Sequence, residues 1–298
     1  GAAPQLHNPA YFTGPMVPVA ANHDTTAKTL LNGFQIPAGQ TPDADLKSAL
    51  DNIFNHPNVG PFISQQLIQH LVTSNPSPAY VGRVAAVFND DGSEGHARGN
   101  LAAVVRAILL DTEAKDPPST MFGPAQTGGH LREPVLMIAS VMRALGASVN
   151  DANTLTALGA NLGQTVFIPP SVFNYFAPGY QIPPQYTPGI NLLGPEFQIL
   201  SPSSAVGRIN TVNAMVYGNL GNGAVLDLTP FAAVAGNAQT LVDAVSRAFF
   251  AGQMPDAMQT ELMGAVNAIT GTSAAVLRQR AQAAIYLAAA SSYYNVEQ

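Results

Sequence analysis

Eight prolines fall between residues 164 and 202, a density that forbids long helices and central strands alike, because proline donates no backbone hydrogen bond and fixes its own φ. Seven aromatics share the stretch: Phe167, Phe173, Tyr175, Phe176, Tyr180, Tyr186 and Phe197. A loop this long inside a compact domain has either a function or a packing surface of its own. On both sides of it the pattern is helical. In DADLKSALDNIF, Leu46, Ala49, Leu50, Ile53 and Phe54 fall at helical spacing, with Asp43 placed to cap. Val59, Phe62, Ile63, Leu67, His70 and Leu71 repeat the stripe in the next segment. Ser77-Pro78 opens a third helix, whose buried face is Tyr80, Val81, Val84, Ala85 and Phe88. RGNLAAVVRAILL is apolar on most sides and reads as a central helix. Further helices are expected at about 133–145, 203–217, 239–251, 255–270 and 273–291.

Residues 1–42 are rich in Pro, Gly, Asn and Thr and carry no helical period; they read as an extended arm with a short strand at 33–37. The fold expected is all-α: a multi-helix domain fragment with that N-terminal arm and a long Pro/aromatic-rich loop excursion. Its parts are the arm 1–42, a helical region 43–150, the loop segment 151–202 and a C-terminal helical region 203–298 that joins 43–150 in one domain.

Composition narrows the function classes. Apolar residues make up 47% and charged residues 10%, against about 25% charged in ordinary globular chains. That excludes intrinsic disorder. A net charge of -6 with no cationic cluster argues against a nucleic-acid partner. No apolar run reaches the ~20 residues that span a bilayer, so no transmembrane segment is expected. With no cysteine there is neither a disulfide nor a thiolate-held metal. Residues 1–18 lack the basic start and apolar stretch of a signal peptide, and the GAAPQLHNPAYFTGP opening reads as a processed or cut end.

Several motifs occur in a specific order: HDTTAKTLL, FISQQLIQHLVTSNPSPAYVGRVAAVF, RGNLAAVVRAILLDTEA, LREPVLMIASVMRALGA, PPSVFNYFAPGY, PEFQI and AAIYLAAASSYYNVEQ. Together they resemble the bacterial domain-of-unknown-function-1800 family over about residues 20–298, in what corresponds to the C-terminal portion of that family's domain. The resemblance implies a secreted or periplasmic protein. It also implies genomic neighbours similar to sulfatases and alkaline phosphatases, and a partner in the form of a missing N-terminal portion or self-association. It implies no reaction.

The residues that can carry chemistry are few. His23 and Asp24, with Lys28 one turn on, are the catalytic candidates, since a carboxylate can orient an imidazole for proton transfer or metal binding. The plainer alternative is that Asp24 caps the next turn and His23 packs on the arm. Asp90, Asp91, Glu94 and His96 offer ligands for a metal, although EF-hand spacing is absent and a solvated turn is favoured. His56 and His70 read as helix-end and core-edge residues. Arg132, Glu133 and Arg143 are expected in structural ion pairs, with His130 just before them; anion binding is the alternative, disfavoured because no phosphate-cradling Gly-rich loop accompanies the arginines. G-x-S-x-G is missing, so no serine nucleophile is indicated. Glu196 is the acid in the most attractive setting, without a partner visible in the sequence. Tyr175, Phe176, Tyr180 and Tyr186, with Glu196, form a candidate binding surface for a glycan or an extended peptide; alternatively the rings plug the gap between helical layers. No cofactor is expected.

The leading functional expectation is an interaction or assembly module of the bacterial envelope or exterior. The alternatives are a secreted hydrolase or metalloenzyme acting on polysaccharide or sulfated sugar, and a carbohydrate- or peptide-binding protein.

Overall fold

The structure, a computed structural model, describes residues 13–115, 129–218, 220 and 223–297; the first twelve residues of the expected arm lie outside them. The chain divides into two compact units, Gly1–Ile63 and Ser64–Gln298.

In the first unit the arm is more than extended chain. Strands β1 (Lys28–Thr29) and β2 (Gln35–Ile36) pair antiparallel, Lys28 opposite Ile36. The turn between them passes through Asn32 and Gly33, both at positive φ, a region that glycine and asparagine tolerate best. Helix α1 (Pro42–Phe54) is capped by Thr41, whose hydroxyl accepts from the Ala44 amide, rather than by Asp43. Its expected apolar face is not buried: Leu46, Leu50, Ile53 and Phe54 are exposed. Asp45 is buried instead, 2.7 Å from Lys28 Nζ and 3.0 Å from His23 Nε2. Attraction of the Asp45 carboxylate to Lys28, with the His23 ring beside it, fixes the rotation of α1 and turns its apolar stripe outward.

The division between the units falls inside α2 (Val59–Leu71). Its fully buried residues are Ser64 and Ile68, while His70 is exposed, so the inward face is rotated from the stripe expected. Gln69 sets that rotation by donating to the Ser74 and Pro178 carbonyls.

The second unit is a helical stack. Helices α3 (Pro78–Asn89), α4 (Leu101–Leu110) and the single turn α5 (Thr112–Lys115) come first. They are followed by β3 (His130–Leu131), α6 (Pro134–Ala144), β4 (Ser148–Val149) and α7 (Ala152–Asn161). Ser77 caps α3 and also donates its hydroxyl to Glu113, and Tyr80 donates from inside to the Ile108 carbonyl. Contrary to expectation α4 is not central: Leu101, Leu109 and Leu110 are half-exposed. The segment expected as loop from 151 opens with α7, which Asp151 caps. Proline starts only after it, so nothing in 151–163 opposes a helix.

Past the proline-rich segment lie α8 (Pro202–Val216), β5 (Ala224–Val225), α9 (Thr229–Val234), α10 (Ala238–Phe250), α11 (Asp256–Ala268), α12 (Ala274–Ala290), α13 (Ser292–Asn295) and β6 (Val296–Glu297). Strand β4 pairs with β5 and β3 with β6, both antiparallel. The central helix is α12, which packs on α8, α9, α10, α11 and α13. Ala281, Ala284, Ala288 and Ala289 are fully buried on it; side chains this small let neighbouring backbones approach from several sides. Replacing Ala288 with Leu inserts three carbons where there is no room. The expected outcome is a loss of about 1–3 kcal/mol, measured by urea unfolding, with Ala290→Leu on the partly exposed side costing less.

Candidate functional site

The HLR tripeptide at 130–132 opens the site. Alternation along an extended segment sends His130 and Arg132 to the same side. Pairing to β6 sets His130 opposite Glu297 and Leu131 opposite Val296, and the Arg132 amide donates to the Asn295 carbonyl at 2.7 Å. Gly129 makes the pairing possible: at φ +78°, a Cβ there would sit 2.1 Å from the Glu297 carbonyl oxygen. The last described residues of the chain are thereby fixed against its middle.

Glu196 reaches the same place through the proline-rich segment. The segment is anchored by a reciprocal amide pair, Asn75 donating to the Leu193 carbonyl (2.9 Å) and accepting from the Leu193 amide (2.8 Å). The Gly194 amide donates to the Tyr180 carbonyl, and a Cβ at Gly194 would strike Ile182 and Phe197 within 3 Å. The chain then enters the 3₁₀ turn Pro195–Ile199 with Glu196 pointing inward, 1% exposed.

There Glu196 meets His130, Oε1 lying 3.6 Å from Nδ1, an attraction of charges beyond hydrogen-bond length. The other ring nitrogen, Nε2, lies 3.4 Å from Glu297 Oε2. Arg132 donates from Nε to Glu297 Oε1 at 3.0 Å, and its guanidinium covers the Tyr294 ring at 4.2 Å. Arg208, buried on α8, donates from Nη1 to the Arg132 carbonyl and to Asn295 Oδ1. Burial pulls its pKa down to about 10, against the charge of Glu196, and it stays cationic at neutral pH. Four buried polar atoms here lack a hydrogen-bond partner: His130 Nδ1, Arg132 Nη1, Glu196 Oε2 and Arg208 Nε.

His130, Arg132, Tyr294 and Glu297 form one wall of an open cleft of about 530 Å³; His70, Phe249, Phe250, Gln253 and Tyr293 line the rest. Burial pulls the His130 pKa down, but Glu196, Glu297 and Glu133 push it up further, and the result lies above the ordinary value of 6.5. Burial raises the Tyr294 phenol, opposed by the charge of Arg132.

The residues marked in the sequence are placed as follows. Asp24 accepts from the amide and hydroxyl of Thr26, so it closes its own turn. His23 and Lys28 turn to Asp45 instead, a carboxylate with no marking motif around it. Asp90 pairs with His96 at 2.8 Å, and Asp91 accepts from Ser93, Ala97 and Asn100. Those four bonds within the loop hold the Asp91 carboxyl far below its usual range. Among the described residues no group of three His, Asp or Glu side chains has the geometry to hold a metal ion. Arg132 pairs with Glu297 rather than Glu133; Glu133 accepts from Gln164, and Arg143 sits in the last turn of α6. The aromatics divide. Phe176 is buried, its ring 6.3 Å from that of His70, while Tyr175 hydrogen-bonds its own loop at Thr165 and Ile168. Tyr180 is half-buried and Tyr186 is exposed, so the rings neither plug one gap nor make one plate. Glu297 carried no signal in the sequence; its partners lie 165 residues or more away.

Fold and site define a mostly helical protein with an acid–base cluster in the wall of a polar cleft. The chain belongs to the family described as Protein of unknown function (DUF1800), which matches residues 5–296. The match takes in nearly the whole chain, first unit included, and is not confined to a C-terminal portion or to residues after 20. No curated protein and no solved structure matches.

Because folded His130 holds its proton more tightly than the unfolded chain does, it adds stability that is complete below about pH 6.5 and is lost as the pH rises through its raised value. The melting-temperature gap between wild type and His130→Asn, followed from about pH 5 to about pH 9, is expected to close at the alkaline end. A gap independent of pH would contradict a charged His130.

Proposed function

We propose that the protein is a binding module for an acidic ligand of sugar size, taken up in the cleft walled by His130, Arg132 and Glu297. The observation that carries this reading is Arg132: it lines the cleft and already holds a carboxylate there, that of Glu297, through Nε. A guanidinium suits a carboxylate or sulfate, which it can grip with two parallel bonds. Phe250 and Tyr293 also line the cleft, and aromatic side chains suit the apolar side of a sugar ring. The setting outside the cytoplasm rests on the family resemblance alone. No helix among the described residues is long and apolar enough to cross a membrane.

Binding is favoured over hydrolysis of a polysaccharide or sulfated sugar by the state of His130. Both its ring nitrogens face carboxylates, which leaves neither to take a proton from a nucleophile. Titration with a sulfated disaccharide, followed by calorimetry, is expected to show binding that Arg132→Lys weakens about tenfold, since lysine keeps the charge and loses the fork. A glycan series with no binder among its acidic members overturns the reading.

A second reading, an interaction or assembly module, is favoured by one observation in the first unit. Leu46, Leu50, Ile53 and Phe54 are each 41 to 57% exposed on one helix, and a contiguous apolar surface usually marks a contact. Sedimentation velocity is expected to show self-association that Leu50→Glu with Ile53→Glu abolishes. A concentration-independent monomer in the parent chain removes this reading.

A further inference from the structure

We infer that Glu297 is a built-in occupant of the anion subsite: its carboxylate stands where the acidic group of the ligand would bind, and the ligand must displace it. This rests on the binding reading above and adds to it a competitor carried by the chain itself.

The geometry is that of a bound oxyanion. One carboxylate oxygen accepts from Arg132 Nε at 3.0 Å, and the other lies 3.4 Å from His130 Nε2. A structural ion pair sealed into the core would be expected to have both partners buried. Here the Arg132 and His130 side chains are 12% and 4% exposed, whereas Glu297 is 32% exposed and faces the cleft. The cations are therefore fixed and the anion is the member in contact with solvent.

The cations are held without Glu297. His130 has Glu196 on its other side, and Arg132 rests on the Tyr294 ring. The Arg132 carbonyl is held in turn by Arg208, and its amide by the Asn295 carbonyl. Glu133 adds negative charge near His130 from the start of α6. The attachment of β6 to β3 is made by the backbone, so the Glu297 side chain can swing into solvent while the strands stay paired. Arg132 engages Glu297 through Nε, the position that the acidic group of a ligand would take over.

An internal competitor lowers apparent affinity by the fraction of time it occupies the subsite. Charge-assisted contacts of this kind are strong enough to make that fraction large. Inorganic sulfate and a sulfated disaccharide are titrated into wild type, Glu297→Gln and Glu297→Asp at fixed pH and ionic strength. Binding is read by calorimetry and by chemical shifts of the histidine rings, and folding by thermal melts. Glu297→Gln is expected to bind sulfate about tenfold more tightly than wild type. Glu297→Asp keeps the charge on a shorter arm and is expected to fall between the two. Arg132→Lys placed on Glu297→Gln is expected to cancel the gain. If wild type binds the disaccharide and neither Glu297 variant binds more tightly, the internal competitor is disproved while the binding reading stands. If no folded variant binds either probe, both are disproved. Should Glu297→Gln fail to fold, Glu297→Asp decides alone: equal or weaker binding than wild type rejects the competitor.

Discussion

Burying the Glu196 carboxylate beside His130 is the interaction on which the arrangement of the second unit depends. A carboxylate almost wholly removed from water is untenable unless cations stand against it. His130 lies 3.6 Å away, and Arg208 adds its charge from α8. Bringing the three together fixes the end of the proline-rich segment, the start of α6 and the middle of α8 at one point. His130 then reaches Glu297 and Arg132 reaches Tyr294, which seats the end of the chain on its middle. Removing one member of such a cluster leaves the others uncompensated, typically at a cost of about 3–5 kcal/mol.

The rest of the second unit is held by packing of an unusual kind for so apolar a chain. Its central helix, α12, presents Ala281, Ala284, Ala288 and Ala289 to its neighbours, with Ile285 among them. Side chains this small allow close approach, and dispersion contacts add up over five neighbouring helices. The scarce charges are placed with corresponding economy. Arg83 forks onto Asp111, Lys28 and His23 turn to Asp45, and Arg132 to Glu297. Few are left to cover surface, and apolar residues such as those of α1 stand exposed.

The cleft draws its chemistry from this cluster and its shape from the C-terminal residues. Tyr293, Tyr294, Val296 and Glu297 line it together with Phe249 and Phe250 from the end of α10. Ala251, at φ 51° in the left-handed region, ends α10 there, so the helix stops at the edge of the opening. A wall built from a short strand can present a carboxylate to solvent while its backbone remains paired, which a residue inside a helix stack cannot.

The helices of the second unit were legible from local pattern. The Ser77-Pro78 start and the helices expected from about 203 and 273 lie within a residue or two of where the structure places them. In the proline-rich segment local chemistry likewise weighs against helix and strand. Helix α7 was missed because its mild pattern lay beside that segment. Which face of α1 or α2 turns inward was not legible, since Asp45 and Gln69 take long-range partners that periodicity cannot weigh. The site was half legible. Glu196 and Arg132 stood out for their settings, yet the sequence offered Arg132 the adjacent Glu133, and folding supplied Glu297. By itself the sequence determined where helices begin and where they cannot form, because those rest on contacts within a few residues. Which acid meets which base was decided by tertiary structure alone, because a buried charge is satisfied by whatever the fold brings within a few ångströms, however distant along the chain.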